Sequence, residues 1–107
     1  MTTSIAVSDL PGNLIGRFEG REHGSSVSFF IGTFPSGTGP GLHRHPYDET
    51  FIVEAGSATF TIDDETVELE AGQITVVPAG TPHKFVSGED FRLVSISPSD
   101  HMIQEDL

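Results

Sequence analysis

Glycine and proline cut this chain so closely that no long helix can run through it. Pro35-Ser36-Gly37-Thr38-Gly39-Pro40-Gly41 is one breaker and Pro78-Ala79-Gly80-Thr81-Pro82 is another. Proline removes a backbone donor and glycine weakens a helix interior, so both stretches read as loops. Between the breaks lie short runs rich in Phe, Val, Ile and Thr, many of them alternating polar with apolar. Residues 13–19, 27–34, 49–54, 58–63, 66–69, 73–77, 83–86 and 91–97 read as strands. Residues 42–46 add a short extended piece. No segment of ten or more residues keeps a clean helical period. Eight to ten short strands at spacings of about 8–12 residues predict an all-β sandwich or barrel. The tail, 102–107, is expected to form a helical turn or to lie along the barrel.

The chain has 107 residues, the size of one domain with one core, and no repeat or linker divides it. It has no cysteine, which removes disulfides and thiolate metal sites. Its net charge is −11, and Arg17, Arg21, Arg44, Lys84 and Arg92 are scattered along the chain. Nucleic-acid binding needs clustered cations, so no nucleic-acid partner is expected. No apolar run reaches the length of a membrane span, and no membrane partner is expected. The first nine residues lack a basic start and a long apolar stretch. No signal peptide is therefore expected, and the cytoplasm is the expected location.

Chemistry concentrates on three of the five histidines. His43 and His45 are two apart, so in an extended segment both imidazoles point to one face. Glu49 follows four residues later, at the start of the next strand. The neighbouring Asp48 would point to the opposite face of that strand. His83 lies 38 residues beyond His45, just after the second breaker. An antiparallel fold can return it opposite the first pair. Three imidazoles and one carboxylate suit one divalent transition metal: Fe, Mn, Ni, Zn, Co or Cu. Four protein ligands leave positions of an octahedron open, as a catalytic metal requires. The competing reading keeps these residues as hydrogen-bonded core groups.

The spacings resemble a known family. Gly37-x5-His43-x-His45-x3-Glu49-x6-Gly56 is similar to the first cupin motif at every fixed position. Gly72-x5-Pro78-x-Gly80-x2-His83 is similar to the second, which in the family usually closes on Asn where this chain has Ser87. The motifs span 37–56 and 72–87, and the likeness extends over about residues 26–98 of a single domain, 1–107. It implies a conical antiparallel β-barrel, or jelly roll, with the metal inside the wide end and a homodimer as the common assembly. Ser87 replaces no ligand. Cupin activities range from dioxygenases and isomerases to lyases and sensors, so the fold constrains the metal site better than the reaction.

Strand parity extends the site. Phe51 and Val53 share the face of Glu49, and Phe85 that of His83, so all three are expected to line a pocket for a small-molecule ligand or substrate. Tyr47 lies between two ligands as a candidate hydrogen-bond donor, with packing as the alternative. Arg92 is a candidate carboxylate anchor whose direction parity leaves open, because its strand is apolar in both phases. His23 and His101 read as surface residues. No dedicated acid or base stands out. The expectation is therefore a metal-dependent enzyme, an oxygenase first. A metal-dependent isomerase or lyase, or a non-catalytic metal-binding or sensor protein, is the alternative.

Overall fold

The computed structural model describes residues 4–99 and 104–107. Its ten strands are β1 (Ile15–Phe18), β2 (Val27–Thr33), β3 (His43–Arg44), β4 (Glu49–Ala55), β5 (Ser57–Ile62), β6 (Glu65–Glu70), β7 (Ile74–Val77), β8 (His83–Ser87), β9 (Arg92–Pro98) and β10 (Glu105–Asp106). Two short 3-10 turns, Val7–Asp9 and Gly20–Glu22, complete the described elements.

The strands form two antiparallel five-stranded sheets. The first runs β1-β2-β9-β4-β7 and the second β10-β3-β8-β5-β6. This is a jelly roll, and the ladders of the two sheets remain separate, so the expected barrel is not closed by hydrogen bonds. The edge strands β1 and β7 of the first sheet form no ladder with the edge strands β10 and β6 of the second. Pro35 and Pro40 sit between β2 and β3, Pro46 between β3 and β4, and Pro78 and Pro82 between β7 and β8. Proline cannot donate to a ladder, so these crossings stay as loops. At the β4–β5 corner, Gly56 has φ +66, and a Cβ there would meet the Glu89 carbonyl oxygen at 2.2 Å. Only glycine turns this corner without displacing the 88–90 loop.

The tail does not form a helical turn at its end. Glu105–Asp106 pairs as an edge strand with β3, Glu105 opposite Arg44. The Arg44 guanidinium donates to both carboxylate oxygens of Glu105, at 3.0 and 2.8 Å. Residues 102 and 103, and His101, lie outside the described residues.

The core fills the space between the sheets. Phe60 and Phe91 are fully buried and Val53 is 1% exposed. Phe85 meets Phe34 edge-on at 5.0 Å, and Phe51 meets Phe60 edge-on at 5.2 Å. Edge-to-face contacts of this kind contribute about 0.5–1.5 kcal/mol each beyond the area they bury. Most of the packing is long-range in sequence, so the loops that join the sheets also set the register of the site.

Candidate metal centre

The three histidines and Glu49 converge. One ligand atom from each of His43, His45, Glu49 and His83 lies within 4.8 Å of the others, and all four residues are buried. The sheet register explains the meeting. β3 pairs with β8 with His43 directly opposite His83. The second breaker is clamped to the first ligand segment by two hydrogen bonds. Gly80 N–H donates to the His45 carbonyl at 2.6 Å, and Ala79 N–H donates to Asp48 Oδ1 at 2.8 Å. Asp48 is exposed and faces away from the cluster, a structural partner of the loop beside the buried Glu49.

Hydrogen bonds orient each ring. His43 Nδ1–H donates to the Gly41 carbonyl at 2.7 Å, and His83 Nδ1–H donates to the Thr81 carbonyl at 2.8 Å. Each bond holds Nε2 toward the cluster, where a neutral ring would offer its lone pair to a bound metal, the arrangement that supports a metal-ligating histidine. His45 Nδ1 meets the Tyr47 hydroxyl at 3.1 Å, and the two rings stack at 4.8 Å. Nε2 of His83 and of His45 lie 3.2 and 3.4 Å from Glu49 Oε1. The second oxygen, Oε2, accepts a 2.5 Å hydrogen bond from Ser95 Oγ.

The electrostatics favour a neutral His43 and an ionised Glu49. Burial pushes His43 below the ordinary imidazole value, and the facing His83 and His45 add to this against the Gly41 carbonyl. Burial alone would raise the Glu49 carboxyl, but hydrogen bonds from His45, His83 and Ser95 outweigh it and hold the group at about 2. Burial, with Glu49 adding, pushes the Tyr47 hydroxyl up to about 12, so it carries its proton at neutral pH.

A cavity of about 520 Å³ opens beside the cluster. His43, His45 and Glu49 are in its wall, together with Tyr47, Phe51 and Phe85. Val53 is in the core and does not line it. Arg92 does not reach it either. Its Nε donates to Glu54 Oε1 at 3.1 Å in a half-exposed ion pair. The cation in the wall is Arg17, with Ile15 beside it on the same face of β1. The inner positions of β9, Leu93, Ser95 and Ser97, complete that side. Alternation in 91–97 is the signal for Ser95, blurred in the sequence because both phases of β9 carry apolar residues.

Residues 30–97 match the model of the cupin domain family. The chain belongs to the cupin family. An uncharacterized protein of Streptomyces coelicolor is 37% identical to this cupin over 82 residues, covering 75% of this chain and 76% of that protein. The acireductone dioxygenase of Geobacillus kaustophilus is 43% identical over 61 residues, which cover 51% of this chain and 34% of the enzyme. The polyketide cyclase RemF from Streptomyces resistomycificus superposes on 100% of this chain and 86% of its own, with TM-score 0.81 at 18% identity. The last is a likeness of fold alone.

The departure from the second cupin motif has a local use. Ser87 Oγ donates to the Pro35 and Thr38 carbonyls at 2.6 and 2.9 Å and accepts from Thr38 N–H at 3.0 Å. One hydroxyl thereby ties the first breaker to β8. His23 also differs from its surface reading: it is half-buried and stacks on Phe18 at 4.7 Å.

Proposed function

We propose that this cupin is a metal-dependent enzyme acting on a small organic molecule, an oxygenase in preference to an isomerase, a lyase or a non-catalytic sensor. The observation that carries the proposal is the open side of the cluster. His43, His45 and Glu49 belong both to the converging group and to the cavity wall. A structural metal is enclosed by its ligands, whereas a catalytic one faces a substrate. The donor set fits one divalent transition ion, and both ring-to-carbonyl hydrogen bonds are already in place. His43, His45, Glu49 and His83 would hold the ion, which supplies Lewis acidity and open positions for substrate or dioxygen.

The chain's own residues do the remainder. The Gly41 and Thr81 carbonyls fix two rings, and the protonated Tyr47 hydroxyl positions His45. Tyr47 also presents a polar group in a mostly apolar wall. Phe51 and Phe85 exclude water beside the ligands, which strengthens every charge interaction there. The similarity to an acireductone dioxygenase supports oxygen chemistry over the alternatives.

The test is elemental analysis of protein purified without added metal, followed by oxygen uptake with diketones, phenols and thiols. Close to one metal per chain and uptake with one class is expected. Less than about a tenth of a metal per chain would overturn the metal reading, because such ligand sets bind tightly. Bound metal without uptake would favour the sensor or isomerase readings.

The assembly we propose is a homodimer through the outer face of the first sheet. That face carries a row Phe29–Ile96–Thr50–Val76 and a row Ile31–Val94–Ile52–Ile74 across four strands. Its charges are the Arg92–Glu54 pair, which cancels, in a chain of net charge −11. No unbalanced charges of this face would oppose each other across such a contact, and contiguous exposed apolar faces mark interaction sites. No helix among the described residues is long and apolar enough to cross a membrane, and a cysteine-free chain suits the reducing cytoplasm, where we place it.

A further inference from the structure

We propose that Arg17 is the anion-recognition residue of the cavity and that the ligand is a small carboxylate, held with its charged end on Arg17 and its reactive end at the histidine cluster. The inference rests on the metal-dependent reading for the reactive end and on Arg17 alone for the charged end. Three observations carry it.

The first is position. Arg17 stands opposite Phe30 in the β1–β2 ladder, Phe30 opposite Ser95 in β2–β9, and Ser95 opposite Phe51 in β9–β4. All four line the cavity. The guanidinium and the ligand strand β4 therefore bound the same space from strands three apart. At about 4.8 Å per strand spacing, their backbones are separated by roughly 14 Å. An arginine from one side and a glutamate and histidines from the other leave a gap that suits one ring or a short chain.

The second is charge. Of the five Lys and Arg residues, Arg17 is the one in the cavity wall. Arg44 and Arg92 are paired with Glu105 and Glu54. Among the described residues no hydrogen bond or ion pair engages the Arg17 side chain, although the chain has 16 acidic residues. Arg17 is exposed at the rim of the cavity beside Ile15 and Phe30, where its five donors can meet an incoming anion. Its planar fork matches a carboxylate with two parallel bonds.

The third is the shape of the demand. Pockets of this size fix orientation with a few polar groups set among apolar ones. Here the charged and metal-ligating groups fall at two ends, Arg17 and the ligand cluster, with Phe30, Ser95 and Phe51 between them. An uncharged ligand would leave the guanidinium unused, and a dispersed cation would be repelled by it.

The experiment measures binding of carboxylate–amide pairs of increasing size: acetate with acetamide, propionate with propionamide, benzoate with benzamide. Titration calorimetry is run on the purified holoprotein and on chelator-treated protein, for the native chain, Arg17→Gln and Arg17→Lys. The native chain is expected to bind at least one carboxylate about tenfold more tightly than its amide, with or without metal. Arg17→Gln should abolish that preference, leave amide binding and metal content unchanged, and be partly rescued by Arg17→Lys. Equal binding of acid and amide in every pair would overturn the proposal. So would a preference that survives Arg17→Gln or vanishes with the metal, since the carboxylate would then be read by the ion. A preference that needs Arg17 in a chain devoid of metal would sink the enzymatic reading and leave the anion site standing.

Discussion

On the inner face of the first sheet, Ser28, Glu49, Ser95 and Ser97 are buried at 2, 7, 3 and 5% exposure. On its outer face, Ile74 and Val76 stand 62 and 52% exposed, in line with the half-buried Ile52, Val94 and Ile96. An antiparallel sheet with one solvated face normally alternates apolar inward and polar outward. Here the inner face mixes these polar groups with Phe51, Val53, Val77 and Leu93, and the outer face is largely apolar, which separates two uses of one sheet. Two of its inner serines have partners: Ser95 serves Glu49, and Ser28 accepts from Gly20 N–H at 2.8 Å. Of its outer apolar groups, Phe29 stacks on Phe18 while Ile74 and Val76 remain open. The fold of one copy is held by Phe51, Val53 and Leu93 packing against the second sheet, and the outer rows await a cover.

The sharpest break between the faces uses metal content. His83→Ala is expected to remove nearly all bound metal, a loss far above the 10–100-fold that outer-shell changes cause. Ile52→Ala, on the same sheet but facing out, should leave metal content as it is. Elemental analysis alongside circular dichroism checks both, the latter showing that the fold persists. Equal losses from the two changes would mean that the cluster is only a core of hydrogen-bonded histidines.

Next in size is the cover itself. Ile52→Lys places a charge in the middle of the outer rows. In a dimer it would be buried without a partner, a cost of about 3–5 kcal/mol, enough to separate the copies. Analytical ultracentrifugation is expected to show twice the 11.5 kDa chain mass for the native protein and the single mass for the variant. A native protein that sediments as one chain at high concentration would remove the second copy as the occupant of this face.

The same comparison explains what the sequence showed and what it hid. His43 and His45 were legible from the two-residue period, and their link to Glu49 and His83 from the motif spacings. The inward faces of Phe51 and Phe85 were legible from parity. Parity names a face but not a depth, which is why Val53 shares the face of Glu49 yet lies in the core. Arg92 stayed undecided because β9 is apolar in both phases. The structure gives the cause: both faces of the first sheet carry apolar groups, so alternation loses its contrast. Arg17 showed its alternation with Phe18 plainly, but nothing local says which face of β1 meets the cavity. Barrel closure was beyond reach for a similar reason. It depends on whether the edge strands of the two sheets pair with each other, which no local pattern states.

The smallest expected effect is also the most specific to the inner face. Ser95 is a buried polar residue where a sheet interior would ordinarily hold an apolar one, and its hydroxyl holds Glu49 Oε2. If Ser95 is only a small core residue, Ser95→Ala is neutral. If it orients the carboxylate, the variant should bind metal about tenfold more weakly, the lower end for an outer-shell partner. Ser97→Ala, a neighbour on the same face, should not. The chelator-treated protein adds a second reading. Glu49 is held at about 2, below its ordinary 4.5, so its ionised form contributes stability above pH 4.5 that is lost as pH falls toward 2. Ser95→Ala removes one of the bonds that lower it, so its carboxyl should rise and acid unfolding should begin at higher pH. Acid titrations of the two metal-free proteins followed by circular dichroism read this directly. Coincident curves would show that Ser95 fills space beside Glu49 without holding it.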